Sequence, residues 1–116
     1  MEIWHNPRCS KSRQTLALIT ERGAEPAVRH YLDDPPTAAE LERALGALGL
    51  EPWEITRMGE GRARELGLAD REHDRGAWIE LLVANPILIE CPIAIADDGR
   101  AILGRPPERV LELLGG

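Results

Sequence analysis

Cysteine, lysine and long apolar runs are all scarce in this chain of 116 residues. Two cysteines are too few for the disulfide framework of a small secreted protein, and two thiols alone do not close a tetrahedral metal site, so no metal is expected. The first residues show no basic region followed by an apolar run, which predicts no signal peptide. No run approaches the roughly 18 apolar residues that span a bilayer. These absences favour a cytoplasmic protein with no membrane partner.

The charge balance argues against a nucleic-acid partner. The formal net charge is −6, whereas nucleic-acid-binding domains usually carry a basic face and a high pI. Lys11 is the single lysine among 14 basic residues, so almost every cation is a planar guanidinium that can hold an oxyanion in bidentate fashion. A general compositional bias toward arginine explains this equally well. The length fits one ordinary domain, over residues 1–116.

The first third of the chain predicts a strand, a helix and a strand. Residues 2–5 include the β-formers Ile3 and Trp4 and are followed by Asn6-Pro7, which disfavours a helix, so this segment predicts a short buried strand. Helical spacing of apolar residues begins after Cys9, and Gly23 is placed to end that helix. Weak alternation over residues 27–31 predicts a second strand.

The middle of the chain predicts helices and the end predicts strands. Thr37 and Glu40 have the spacing of a capping box at the start of a helix, and residues 74–83 are typical of another. Short apolar runs then follow over residues 86–89, 93–96 and 101–103, with a turn sequence between the last two, and a final helix is expected over residues 106–114. This order predicts an α/β fold, a thioredoxin-like mixed sheet flanked by helices, with a helical insertion at about residues 37–85.

Cys9 is the strongest candidate for chemistry. It precedes a predicted helix, where partial positive charge and unpaired N–H groups lower the pKa of a thiol and produce the reactive thiolate. Arg8 and Lys11 flank it, and Ser10 and Ser12 offer hydroxyls, so the same turn can cradle an anion. The alternative is that Cys9 is an ordinary buried thiol.

Two neighbouring residues limit this interpretation. Ser12 stands where a dithiol Cys-x-x-Cys motif has its second cysteine, so the sequence disfavours a dithiol thioredoxin. His5 precedes Cys9 by four residues and could tune its proton, although a lone histidine in a strand is more often a packing residue.

The segment His5-Asn6-Pro7-Arg8-Cys9-Ser10-Lys11-Ser12-Arg13, followed by Thr15-Leu16, resembles the active-site loop of the glutaredoxin-coupled arsenate reductases. Further ordered matches are Glu25-Pro26, Tyr31-Leu32, Pro35-Pro36-Thr37, Glu65-Leu66-Gly67-Leu68 in a mid-chain helix, Asn85-Pro86-Ile87-Leu88-Ile89 with Pro92-Ile93 in later strands, Gly104-Arg105-Pro106-Pro107-Glu108 and Val110-Leu111-Glu112. The matches therefore run the length of the chain.

The resemblance implies an enzyme in which the Cys9 thiolate attacks arsenate and arsenic leaves as arsenite. It implies glutathione as co-substrate, glutaredoxin as the partner that regenerates the thiol, no tightly bound cofactor, and an oxyanion loop of Asn6, Arg8, Ser10, Lys11 and Ser12. It also implies three arginines around the oxyanion, two of which are Arg57 and Arg105.

The third arginine position is Cys91 in this chain, immediately before Pro92. In thioredoxin-like folds the corresponding proline is typically cis and its loop faces the catalytic thiol. Cys91 is therefore expected beside Cys9. It is interpreted either as a small apolar residue that fills space, or as a second thiol that captures Cys9 after turnover or helps hold trivalent arsenic.

Two other functions stay open. A general thiol oxidoreductase with another oxidised substrate would keep the fold and Cys9 and lack one anion-binding arginine. A regulator that binds RNA polymerase belongs to a related family, which typically carries Cys-x-x-Cys where this chain has Cys9 and Ser12. Assays of arsenite release and binding to polymerase separate these alternatives.

Overall fold

The computed structural model describes residues 1–114, which form two compact units. One unit contains residues 1–34 together with the residues from Cys91 onward, and the other is Pro35–Glu90. The helical insertion expected at about residues 37–85 falls within the second unit. The site described below is built in the first.

The first unit is organised on a four-stranded mixed sheet. Its strands, in the spatial order β2-β1-β3-β4, are β1 (Glu2–Trp4), β2 (Ala27–Arg29), β3 (Ile93–Ile95) and β4 (Ala101–Leu103). β1 pairs in parallel with β2 and antiparallel with β3, and β3 and β4 form the expected antiparallel hairpin. This mixed sheet confirms the predicted fold class.

One face of this sheet is covered by two helical segments. Ile3, Ala94 and Ile102 lie opposite one another across β1, β3 and β4 and share a buried cluster with Ile19 and Val110. Ile19 belongs to α1 (Ser10–Glu21), and Val110 to a 3-10 helix, Pro107–Leu113, where the sequence predicts a helix over residues 106–114. α1 therefore packs against the sheet with its N-terminus just beyond the end of β1, where Cys9 lies.

The second unit consists of helices α2 (Ala38–Leu48), α3 (Gly61–Glu65) and α4 (Arg75–Ala84), with three short 3-10 segments. The predicted capping box at the start of α2 is present. The Glu40 backbone N–H donates to the Thr37 hydroxyl at 3.1 Å, and the Thr37 N–H donates to the Glu40 carboxylate at 2.9 Å. Gly49 ends this helix with φ +70°, a conformation that other residues rarely adopt.

Three sequence expectations differ from the structure. Residues 86–89 were expected as a strand, but Pro86–Leu88 is a 3-10 helix, because proline has no N–H for a ladder and suits a first helical position. The second strand ends at Arg29 instead of residue 31, since the His30 carbonyl accepts two turn hydrogen bonds. The mid-chain helix expected over residues 65–68 ends at Glu65, and Gly67 adopts a left-handed conformation.

Candidate active site

The loop between β1 and α1 is held by the buried residue Asn6. Its side-chain Oδ1 accepts from the Arg8 backbone N–H at 3.0 Å, and its carbonyl accepts from the Cys9 backbone N–H at 3.0 Å. The Asn6 backbone N–H donates to the Ser12 hydroxyl at 3.1 Å, which ties the loop to the first turn of α1. These local bonds of Asn6 take the place of the strand ladder, which ends with β1 at Trp4. The result is a fixed turn that presents Cys9 as the N-cap residue of α1.

The pKa of the Cys9 thiol is lowered. Burial is the largest single influence and raises this pKa. A hydrogen bond from the Cys91 side chain, the backbone N–H groups of Ser12 and Lys11, and the charge of Arg105 each lower it, and together they outweigh the effect of burial. Within the described residues the thiol completes no capping hydrogen bond of its own, so the N–H groups act on it as nearby dipoles. Cys9 therefore has the electrostatic environment of a nucleophilic thiolate.

A second loop of the same unit, formed by Cys91 and Pro92 directly before β3, faces Cys9. The Cys9 Sγ lies 3.9 Å from the Cys91 carbonyl oxygen, and the Cys91–Pro92 peptide bond is cis. The same carbonyl accepts from Arg105 Nη1 at 3.1 Å. Cys9, Cys91 and Arg105, which are far apart in sequence, therefore meet at one carbonyl group.

Gly104 and Thr15 support this arrangement, although the family resemblance includes both residues without implying a role for either. The Gly104 backbone N–H donates to the Pro92 carbonyl at 2.9 Å, which joins the residue before Arg105 to the residue after Cys91. A Cβ at position 104 would lie 2.6 Å from Thr15 Oγ1 and 2.7 Å from Pro92 Cγ. The available signal was a glycine directly after a predicted strand and before a candidate arginine.

His5 and Ser12 form a buried pair behind the loop. His5 Nδ1 lies 2.6 Å from the Ser12 Oγ, and the ring packs edge-to-face on His30 with centroids 5.8 Å apart. Burial first, and then the charges of His30 and Arg13, lower the pKa of His5. His5 therefore faces Ser12, and a neutral imidazole is favoured there. This environment supports the packing interpretation of His5, and any effect on Cys9 would pass through Ser12.

The predicted oxyanion loop divides into two groups. Arg8 and Ser10 are exposed, and Lys11 is partly exposed, so their side chains are accessible to a solute. The Ser12 hydroxyl is fully buried and already contacts His5 and the Asn6 N–H, so the predicted role of this hydroxyl needs correction. Ser12 contributes to the site through its backbone N–H instead.

Arg57 belongs to the Pro35–Glu90 unit. Its backbone N–H donates to the Leu88 carbonyl at 2.7 Å, next to an isolated bridge between Thr56 and Ile89. Its Nη2 lies 3.3 Å from a Glu60 carboxylate oxygen. A role for Arg57 in oxyanion binding stays a prediction from the family resemblance.

Residues 1–114 contain neither a metal-binding cluster nor a membrane-spanning helix. Histidine, cysteine, aspartate and glutamate side chains there form no group of three that could hold a metal ion. None of the helices in that range has the length and apolar character needed to cross a membrane.

Comparison with known proteins identifies the family. A model of the ArsC family matches residues 4–113. The chain is 47% identical to an uncharacterized protein in the glnII region of Streptomyces viridochromogenes, with 98% of each chain covered. It is 40% identical to an arsenate reductase of Neisseria meningitidis, covering 98% of this chain and 97% of that one. A solved arsenate reductase from Vibrio cholerae superposes with a TM-score of 0.91 at 43% identity, covering 97% of this chain and 95% of that one. The chain therefore belongs to the ArsC family.

Proposed function

We propose that this protein reduces arsenate to arsenite, with the Cys9 thiolate as the nucleophile. One observation carries the proposal: the Cys9 thiol lies at the N-terminus of α1 with a lowered pKa, close to Arg105. That environment suits attack on a tetrahedral oxyanion, because the cation and the helix N-terminus favour both the thiolate and the bound anion. Relatives named arsenate reductases, at 40% and 38% identity, support the choice of substrate.

The proposed reaction has three steps. The Cys9 sulfur bonds to arsenic and an arsenate oxygen leaves as water, which gives a covalent adduct. A glutathione thiolate then attacks the Cys9 sulfur, and the sulfur–arsenic bond breaks with its electron pair on arsenic, so arsenite leaves. The remaining mixed disulfide is reduced by glutaredoxin with a second glutathione. Overall, two glutathione molecules are oxidised to their disulfide, and no tightly bound cofactor is needed.

The proposed role of Arg105, and of Arg57, is to hold the charge that develops on the oxyanion. A guanidinium suits this role since it presents two parallel N–H donors to two oxygens, whereas a lysine ammonium offers a point charge. The Arg105 side chain is oriented by its hydrogen bond to the Cys91 carbonyl, next to the Cys9 sulfur. The use of glutathione also fits a reducing compartment such as the cytoplasm.

The test is arsenite release by the pure protein with glutathione and glutaredoxin. We expect turnover that requires both, and its complete loss in Cys9→Ser with the fold intact by circular dichroism. Substantial arsenite formation by Cys9→Ser would show that another group is the nucleophile.

A second function is favoured by one observation. Cys91 stands where the family resemblance implies the third oxyanion arginine, and this loss of a cation weakens the case for arsenate as substrate. A general thiol oxidoreductase would need Cys9 and not that arginine. Reduction of a glutathionylated peptide, together with no arsenite release by the same preparation, would favour this alternative.

A further inference from the structure

The proposed reaction does not use Cys91, although its thiol lies beside the reacting sulfur. Cys9 Sγ is 3.9 Å from the Cys91 carbonyl oxygen, and the Cys91 side chain hydrogen-bonds to the Cys9 thiol. No disulfide joins them in the structure, so both are present as thiols. They are the two cysteines of the chain, which makes any intramolecular disulfide unambiguous.

The two thiols differ in exposure. Cys91 has no exposed surface, whereas Cys9 is partly exposed at the start of α1. A dissolved oxidant or substrate therefore reaches Cys9 first. Cys91 is shielded from bulk reagents but held next to Cys9. Two groups held in good alignment react with an effective concentration on the order of 10⁵ M.

The backbone at Cys91 is anchored independently of its side chain. Its carbonyl accepts from Arg105, and the adjoining Pro92 packs against Gly104 and accepts from the Gly104 N–H. Replacement of the Cys91 sulfur therefore leaves these two hydrogen bonds to backbone carbonyls in place.

We propose that Cys91 is the resolving thiol of Cys9. Once Cys9 carries an adduct, the Cys91 sulfur attacks the Cys9 sulfur, and a Cys9–Cys91 disulfide forms as the bond from Cys9 to the adduct breaks. The leaving group takes the electron pair of that bond, and the thiol proton of Cys91 passes to the leaving group or to water. Where the adduct is the arsenate adduct of the proposed function, on which this part of the inference rests, the leaving group is arsenite and the two protein thiols supply both electrons. Cys91 then takes the place of the first glutathione in the second step of the proposed reaction. One external dithiol or two glutathione molecules then restore the pair.

The first experiment needs no arsenate. The reduced protein is treated anaerobically with limiting Ellman's reagent, whose aromatic disulfide forms a mixed disulfide with the first thiol that attacks it. We expect two thionitrobenzoate ions per reagent molecule consumed, the second released at a rate independent of reagent concentration. The intact mass should show loss of two hydrogens, and a peptide digest should show Cys9 joined to Cys91.

Two variants test the assignment. Cys91→Ser and Cys91→Ala should each release one thionitrobenzoate and keep the reagent as a mixed disulfide on Cys9. Both are included because one of them could be unstable, and the wild-type mass measurement requires neither. A stable mixed disulfide on Cys9 in the folded wild-type protein, with no second release, would overturn the proposal.

A second experiment separates this inference from the proposed function. The reduced wild-type protein receives one equivalent of arsenate without glutathione, and we expect about one arsenite per chain together with the Cys9–Cys91 disulfide. Cys91→Ser should release arsenite only after glutathione is added. A wild-type protein that resolves the Ellman adduct but forms no arsenite even with glutathione and glutaredoxin would support the role of Cys91 and refute the proposed substrate. A protein that forms arsenite with glutathione but never forms the internal disulfide would support the proposed substrate and refute the role of Cys91.

Discussion

Gly104→Ala tests whether close packing behind the site positions its two loops. The new Cβ would lie 2.6 Å from Thr15 Oγ1 and 2.7 Å from Pro92 Cγ, whereas carbon atoms in ordinary contact are about 3.5–4.0 Å apart. Displacement of either neighbour costs free energy. Thr15 is fully buried and β-branched and its hydroxyl donates to the Lys11 carbonyl at 2.8 Å, while Pro92 is a rigid ring.

Overpacking of this kind costs about 1–3 kcal/mol of unfolding free energy. That range corresponds to a fall of roughly 5- to 150-fold in the folding equilibrium constant. Because the movement needed would displace Pro92 and its neighbours, the alkylation rate of Cys9 should change as well. The assays are urea unfolding and the rate of iodoacetamide reaction at constant pH.

Gly46→Ala is the matched control. Gly46 lies inside α2, and a Cβ there would meet nothing within 4 Å. Since glycine inside a helix costs about 0.5–1 kcal/mol relative to alanine, this variant should be more stable than the wild type by that amount. Its Cys9 reactivity should not change. If Gly104→Ala unfolds at the wild-type urea concentration and leaves Cys9 unchanged, the argument from packing is refuted.

The remaining predictions concern charge and protonation. The alkylation rate of Cys9 should rise with pH with a midpoint below the ordinary thiol pKa of about 8.5, because the lowered pKa forms the thiolate at lower pH. A midpoint of the rate curve at the ordinary pKa would remove the electrostatic basis of the mechanism. Arg105→Lys and Arg57→Lys should each lose most arsenate turnover, while their unfolding free energies stay within about 0.5 kcal/mol of the wild-type value. Full activity in both variants would mean that the planar guanidinium groups are not used to hold the oxyanion. Arg109→Lys is the control, since this exposed arginine pairs with Glu112 and should keep full activity. His5 has a lowered pKa, so the folded protein binds fewer protons than the unfolded chain just below pH 6.5 and its stability should fall with decreasing pH there. His5→Asn should flatten that part of the stability curve, and an unchanged curve would exclude His5 as its source.

Local sequence determined the elements that depend on near neighbours. The capping box of Thr37 and Glu40 was predicted correctly, since residues three or four positions apart on a helix act on each other directly. The same applies to Cys9 at the N-terminus of α1 and to the β3–β4 hairpin with its short turn. These features required no knowledge of distant parts of the chain.

Family resemblance, and not periodicity, supplied Arg105 and Cys91 as candidates. Physical reasoning from the sequence alone could not connect them to Cys9, because Cys91 is 82 positions away. It also left out Gly104 and Thr15, whose importance depends on contacts that form after the sheet pairs.

Tertiary structure decided how the site is assembled. The register of β1 with β3 brings the loop before β3 to the start of α1, and the return along β4 brings Arg105 to the same carbonyl. It also directed the Ser12 hydroxyl inward to His5, although the sequence suggested an outward anion ligand. Helical turns and caps arise from bonds between residues close in sequence, whereas the pairing of strands joins distant segments. The sequence by itself therefore determined a cysteine at the N-terminus of a helix, and only the pairing of the sheet placed a second thiol and an arginine beside it.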